Sequence, residues 1–250
     1  MAIMKMLGIG VPSFNRGAQL LKLVESIEAN TNAPYRLWIV DDFSDQKTQR
    51  VLAFLEKQGQ ATIIRKQHRP LAGFDTFNHV LDIAQQYQDE CPYFVKLDDD
   101  LEIITKGWDD LIIKILDEEP KTMVTCQSCN VRFPPVEGYI RQCKAEFLAF
   151  RSSMLNIVGR FIERDADGNP MAYSMDSEFT ERLGIYGYRI KQIPDVYKTV
   201  ADGTNRRSKH FASEQPALDA AKKTSIDLWK GIEKSHRAFM LPGKVEKDLP

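Results

Sequence analysis

Apolar and polar positions along the first half of the chain switch between two periods. Residues 3–11 form a nearly unbroken apolar run closed by Pro12, the pattern of a strand covered on both faces. In residues 17–30 the apolar side chains Leu20, Leu21, Leu23, Val24 and Ile27 recur at helical spacing. Residues 36–40 read as a second short strand ending in Asp41-Asp42, and residues 46–58 as a second helix built on Val51, Leu52, Phe54 and Leu55. The alternation continues with strand at 61–65, helix at 74–87, strand at 93–97, helix at 108–116 and strand at 123–126.

Strands that alternate with helices pair in parallel, and their sheet is covered on both faces. Ligands of such sheets bind beyond the carboxyl ends of the strands. The unusual polar residues gather at those ends: Ser13-Phe14-Asn15-Arg16, Asp41-Asp42 and Asp98-Asp99-Asp100. The second half is less regular. It predicts a strand over 138–150, short helices over 151–158 and 176–183, and a strand over 188–193. A polar turn lies at 163–170, a basic loop at 203–208, an amphipathic helix at 215–237 and a loose tail after it. Neither repeats nor low-complexity linkers divide the 250 residues.

Composition narrows the class. Hydrophobic content of 43% and charged content of 28% are those of an ordinary globular protein. A formal net charge of -1 provides no global field for nucleic acid or anionic membrane. No apolar run approaches the length of a membrane span, and the N-terminus lacks the layout of a secretory signal. Four cysteines do not make a disulfide framework at this size, so a reduced, cytoplasmic setting is expected. Cys126-Gln127-Ser128-Cys129 has the spacing of half a zinc knuckle. Without a second pair, buried thiols at a strand end are the simpler reading.

The aspartate triplet carries the most chemistry. Adjacent carboxylates repel, and hard divalent cations prefer oxygen ligands, with Mg²⁺ usually taking one or two carboxylates plus substrate phosphates. A metal held for a phosphate-bearing ligand and a plain acidic turn both satisfy the triplet alone. Gly8-Ile9-Gly10 is not a dinucleotide fingerprint, because Ser13 occupies the third glycine position and Pro12 interrupts the turn. Nor is Pro12-Ser13-Phe14-Asn15-Arg16 the glycine-rich basic loop of a sugar nucleotidyltransferase.

Taken together, Val11-Pro12-Ser13-Phe14-Asn15-Arg16, Val40-Asp41-Asp42-Phe43-Ser44-Asp45 and Leu97-Asp98-Asp99-Asp100 resemble the family 2 glycosyltransferases of the GT-A fold. Residues 147–153 and 158–161 resemble the family's acceptor-side strand and helix, and residues 175–190 its Glu-Asp helix. The resemblance covers residues 5–211. It implies an α/β fold: a single GT-A domain over 1–211, with a Rossmann-like, mostly parallel central sheet flanked by helices. Residues 1–126 would be the nucleotide-sugar-binding half and 127–211 the acceptor and catalytic half, followed by a C-terminal helix and tail over 212–250.

The same resemblance implies roles. Pro12, Asn15 and Arg16 would line the nucleotide pocket. Asp42 would accept from a uracil or guanine N–H, unless it serves as a helix N-terminal acid. Asp98 or Asp99 would meet the ribose and Asp100 would ligate Mn²⁺ or Mg²⁺, with the register among the three open. Asp176 matches the family's catalytic aspartate, although an N-cap is its alternative. Met175 replaces the usual glutamate beside it, which leaves Glu178 as a second candidate base. Arg206 and Arg207 would clamp phosphates, and His210 would be a further metal ligand or a surface histidine. Arg65 and Arg69 would contact the donor diphosphate or base, or be solvated strand-end charges.

The activity implied is metal-dependent, inverting transfer of a sugar from a UDP- or GDP-linked donor to an acceptor hydroxyl on a glycan, lipid, protein or nucleic acid. Two alternatives remain. Lys222, Lys223, Lys230, Lys234 and Arg237 make the C-terminal helix basic, as a nucleic-acid-binding face or a peripheral membrane contact would be. Met175 would suit a catalytically inactive nucleotide-sugar binder.

Overall fold

A computed structural model describes residues 6–67, 74–129, 135–162 and 175–200. Its first half follows the hydrophobic pattern closely. β1 (Leu7–Ser13), α1 (Gly17–Asn30), β2 (Tyr35–Asp41), α2 (Gln46–Lys57), β3 (Thr62–Arg65), α3 (Phe74–Gln86) and β4 (Tyr93–Leu97) alternate as expected. After β4 come β5 (Leu101–Ile103), α4 (Trp108–Glu118) and β6 (Thr122–Cys126). The second half contributes β7 (Tyr139–Ile140), β8 (Phe147–Arg151), α5 (Leu155–Val158), α6 (Met175–Ile185), β9 (Arg189–Ile193) and β10 (Tyr197–Thr199).

Among the described residues, eight strands form one sheet in the order β3-β2-β1-β4-β8-β6-β9-β7, and β10 pairs with β5 in a separate ribbon. The pairs β1–β2, β1–β4, β2–β3 and β6–β9 are parallel. β8 runs antiparallel to both β4 and β6. That reversal brings the start of β8 beside the end of β4: Phe147 pairs with Leu97, one residue before the aspartates.

Pro12 does not stop β1, which continues in register with β2 to Ser13↔Asp41. Pairing with β4 has already ended at Gly10↔Lys96. The Ser13 carbonyl accepts from Asp42 N on the β2 side, so the missing Pro12 N–H faces the side where β4 has left and disturbs no ladder. Gly8 and Gly10 serve packing: a Cβ on Gly8 would stand 2.4 Å from the Phe94 ring, and one on Gly10 2.4 Å from Val80 of α3.

The strand expected over 138–150 is instead two, β7 and β8, separated by residues 141–146. That intervening stretch buries Gln142 and Cys143 and lays Ala145 against α6. All four cysteines are free and buried. Burial pushes the Cys126 thiol up to about 12, and the other three thiols also lie above their ordinary value. The expected C-terminal helix, Arg69, Arg206, Arg207 and His210 lie outside the described residues. No described helix is long and apolar enough to cross a membrane.

Candidate active site

The ends of β1, β2 and β4 are tied to one another by side chains. Asp99 is buried, with its carboxylate accepting from Phe14 N (3.2 Å) and Arg16 Nη1 (2.8 Å). The same Arg16 nitrogen lies 2.8 Å from Asp100 Oδ2. One guanidinium therefore serves two carboxylates and leaves the triplet with excess negative charge. Burial pushes the Asp99 carboxyl up to about 6, with Arg16 opposing the shift. Asp100 is also raised, by burial first and then by Asp98, again against Arg16.

Partners reaching across from β1 sort the triplet, which lies in the turn after β4. The middle aspartate turns inward, and its neighbours Asp98 and Asp100 keep 27% and 23% of their side chains exposed. Asp98 pairs with Lys96, a fully buried lysine of β4 whose ammonium also donates to the Ala145 carbonyl and lies 4.2 Å from the centre of the Phe77 ring. Asp98 N donates to the Glu146 carbonyl at 2.9 Å. The next amide along, Ala145 N, donates to Asp176 Oδ2 at 3.1 Å. The segment just before β8 thus connects the triplet to Asp176. Burial raises the Asp176 carboxyl; the Ala145 amide and Lys96 oppose that rise, and Asp98 and Glu146 add to it.

At the end of β2 the two aspartates differ. Asp42 is buried; Thr76 Oγ1 donates to its Oδ1 at 2.8 Å and Lys66 Nζ lies 3.2 Å from the same oxygen. Lys66 also pairs with Asp75 and donates to Thr76. Asp41 accepts from Ser44 N and from Gln49 Nε2 on its Oδ2. Its Oδ1 and the hydroxyl of Ser13, its register partner, are buried without a hydrogen bond among the described residues. Orphaned polar atoms of this kind are rare and mark water or ligand.

The family model for glycosyl transferase family 2 matches residues 9–180, the segment that holds all of these groups. The chain belongs to that family. No curated protein sequence matches it. Solved structures share its GT-A architecture at low identity. TarS of S. aureus (residues 1–349, with UDP-GlcNAc) aligns with a TM-score of 0.59 at 18% identity, covering 82% of this chain and 61% of that one. The mannosyltransferase PcManGT of Pyrobaculum calidifontis, with GDP-Man and Mn²⁺, aligns at 0.60 and 18%, covering 95% and 76%. GalNAc-T7, with UDP, GalNAc and Mn²⁺, aligns at 0.58 and 12%, covering 76% and 42%. The chain spans only 37% of a longer TarS chain.

Within this family domain the remaining sequence candidates separate. Arg65 turns to Glu56 of α2 (2.8 Å) and to Gln49; among the described residues, Lys66, one residue later, reaches Asp42. Glu178 is gripped through both oxygens by Arg182 Nε (2.6 Å) and Nη2 (2.8 Å). That arginine also donates to the carbonyls of Val158 and Arg160, so Glu178 neutralises the bond that fastens α6 to the end of α5. Asn15 lines the β1–α1 turn with a left-handed backbone (φ 55°); its N–H donates to Ser44 Oγ and its Oδ1 accepts from Asp45 N.

Lys66, Thr76, Lys96 and Glu146 escape the sequence reading. Lys66 and Lys96 had weak signals, a cation just beyond the Asp41↔Arg65 register and a lone charge in an apolar strand. Among the described residues, no three His, Cys, Asp or Glu side chains form a ready-made metal cage. A site that borrows phosphate oxygens needs only one or two carboxylates.

Proposed function

We propose that this domain is a metal-dependent, inverting glycosyltransferase that moves a sugar from a UDP- or GDP-linked donor to an acceptor hydroxyl. The observation that carries this reading is the division of labour among the acids. Asp99 is held inside by Arg16 and Phe14 N, Asp98 and Asp100 stay accessible on either side of it, and Asp176 is bonded to the segment just before β8, next to them.

The residues fit a hard divalent cation, Mn²⁺ or Mg²⁺. Asp98 and Asp100 offer oxygen donors in a region whose net negative charge one arginine does not cancel. Bound there, the cation would neutralise charge developing on the departing diphosphate. His210, Arg206, Arg207 and Arg69 are proposed as further contacts to cation and diphosphate, within a domain running to residue 211.

Asp42 is pre-set to read the base. Thr76 and Lys66 hold its carboxylate in place, and a fixed carboxylate accepts from an imide N–H of uracil or guanine at little ordering cost. The Ser13 hydroxyl and Asp41 Oδ1, buried beside it, have no hydrogen-bond partner among the described residues. Asp176 takes the proton of the attacking hydroxyl. Its raised proton affinity improves it as a base, because general-base strength grows as the pKa approaches working pH. Glu178 is already committed to Arg182, so Asp176 is preferred over it. One base and direct displacement give inversion at the anomeric carbon. The buried free thiols fit a reduced, cytoplasmic setting.

The test is release of nucleoside diphosphate from UDP- and GDP-sugars with Mn²⁺, with EDTA and Asp176→Asn as controls and the product anomer read by NMR. Release from one donor class that requires metal and Asp176, with an inverted anomer, is expected. No binding and no release with any donor would reject the reading.

A further inference from the structure

Phe43 occupies a position that the fold gives no reason to fill with phenylalanine. Its φ is 62°, in the left-handed region that bulky L side chains avoid because Cβ crowds the carbonyl oxygen. Its side chain is 57% exposed, so burial of the ring does not offset that strain. The loop is nonetheless pinned on both sides. Before Phe43, Asp42 is anchored by Thr76 and Lys66, and Asp42 N donates to the Ser13 carbonyl. After it, Ser44 N donates to Asp41, Ser44 Oγ accepts from Asn15 N, and Asp45 N donates to Asn15 Oδ1. Strain that the surroundings hold in place belongs with function more often than with folding.

We propose that Phe43 is a donor-binding residue whose ring stacks on the base of the nucleoside diphosphate; this rests on the donor-site reading above. The residue beside it is Asp42, the carboxylate proposed to read the edge of that base. An aromatic ring offers what the carboxylate does not, a face for a planar heterocycle, and such stacking is tolerant of base identity. The β1 and β2 loops that meet through Asn15 and Ser44 also carry the tie from Arg16 to Asp99 and Asp100. The loop that carries the exposed ring is therefore tied to the loop that carries Arg16.

The experiment titrates UDP, GDP and inorganic pyrophosphate, each with Mn²⁺, into the wild type, Phe43→Gly and Phe43→Trp, and records the melting temperature of each free protein. Phe43→Gly is expected to weaken UDP and GDP about tenfold or more and to leave pyrophosphate affinity unchanged. Its melting temperature should stay level or rise, because glycine accepts the left-handed backbone. Phe43→Trp should retain nucleotide affinity. Wild-type nucleotide affinity in Phe43→Gly would overturn the inference and leave the donor site standing. A melting temperature lower by several degrees would make the ring structural and overturn it as well. Wild type that binds neither nucleotide would remove the donor-site reading and this inference together.

Discussion

Asp98–Asp100 and Asp109–Asp110 lie on one stretch of chain and grip the two ends of the same helix, but their charge is met in opposite ways. At the C-terminal end of α1, Asp109 is fully buried and accepts from Asn32 N (3.1 and 3.2 Å to its two oxygens) and Ala33 N (2.6 Å). Asp110 accepts from the Asn32 side chain at 2.7 Å, and Gly107, with φ 68°, leaves room for that amide. Fixed backbone donors complete this cluster. At the N-terminal end, three carboxylates share Arg16 and Lys96 with a fourth, Asp176, close enough to feel them. Asp99, Asp100 and Asp176 there all lie above their ordinary value. The first cluster holds the fold, and the second is charged beyond what the fold requires.

The comparison breaks most visibly at Asp176. Asp176→Asn is expected to lower kcat about 10²–10⁴-fold, with stability near neutral pH unchanged or improved. The sign follows from its raised carboxyl. The folded state keeps the proton to higher pH than the unfolded chain, so ionised Asp176 costs stability as pH rises through that window, and asparagine removes the cost. In the wild type, activity should fall on the acid side at a pH above the usual carboxylate range. Matched pH–rate and pH–melting profiles check both. A variant that keeps its activity, or loses it only by unfolding, would contradict the assignment.

Asp109→Asn should do the reverse. The carboxamide keeps one acceptor oxygen for Ala33 N but turns its N–H toward Asn32 N, for a loss of about 1–3 kcal/mol measured by urea denaturation. The affinity of the refolded protein for nucleoside diphosphates should be unchanged. The smallest effect is expected at Arg65. Its pair with Glu56 is more than a third exposed on both sides, so Arg65→Ala should change stability by about 0–1 kcal/mol. Nucleotide affinity should hold if Lys66, rather than Arg65, is the cation beside Asp42.

The contrast also explains what the sequence revealed. α1 and β4 fall on the ranges that their hydrophobic periods define, Gly17–Asn30 and Tyr93–Leu97, because each buries a continuous face against the sheet. β5 and β10 escaped because three residues are too few to display a period and their pairing is set by tertiary contact. The break at 141–146 escaped because the pull on Ala145 comes from Asp176, more than thirty residues away. The aspartates, Asn15 and Arg16 were legible as residue types at strand ends. Which aspartate turns inward was not, since that depends on Arg16 and Phe14 N reaching across from β1. Nor does a doublet such as Asp109-Asp110 announce its backbone partners in its own sequence.

The most direct measurement places the two clusters side by side: melting temperatures of wild type, Asp100→Asn and Asp109→Asn in EDTA, and again with Mn²⁺ plus UDP or GDP. Asp109→Asn should melt lower in EDTA and still gain the full ligand-dependent shift. Asp100→Asn should melt near wild type in EDTA, because its ionised form is already disfavoured in the fold, and should lose that shift. An Asp100→Asn protein as destabilised as Asp109→Asn, or one that keeps the metal-dependent shift, would mean that the triplet is one more structural turn.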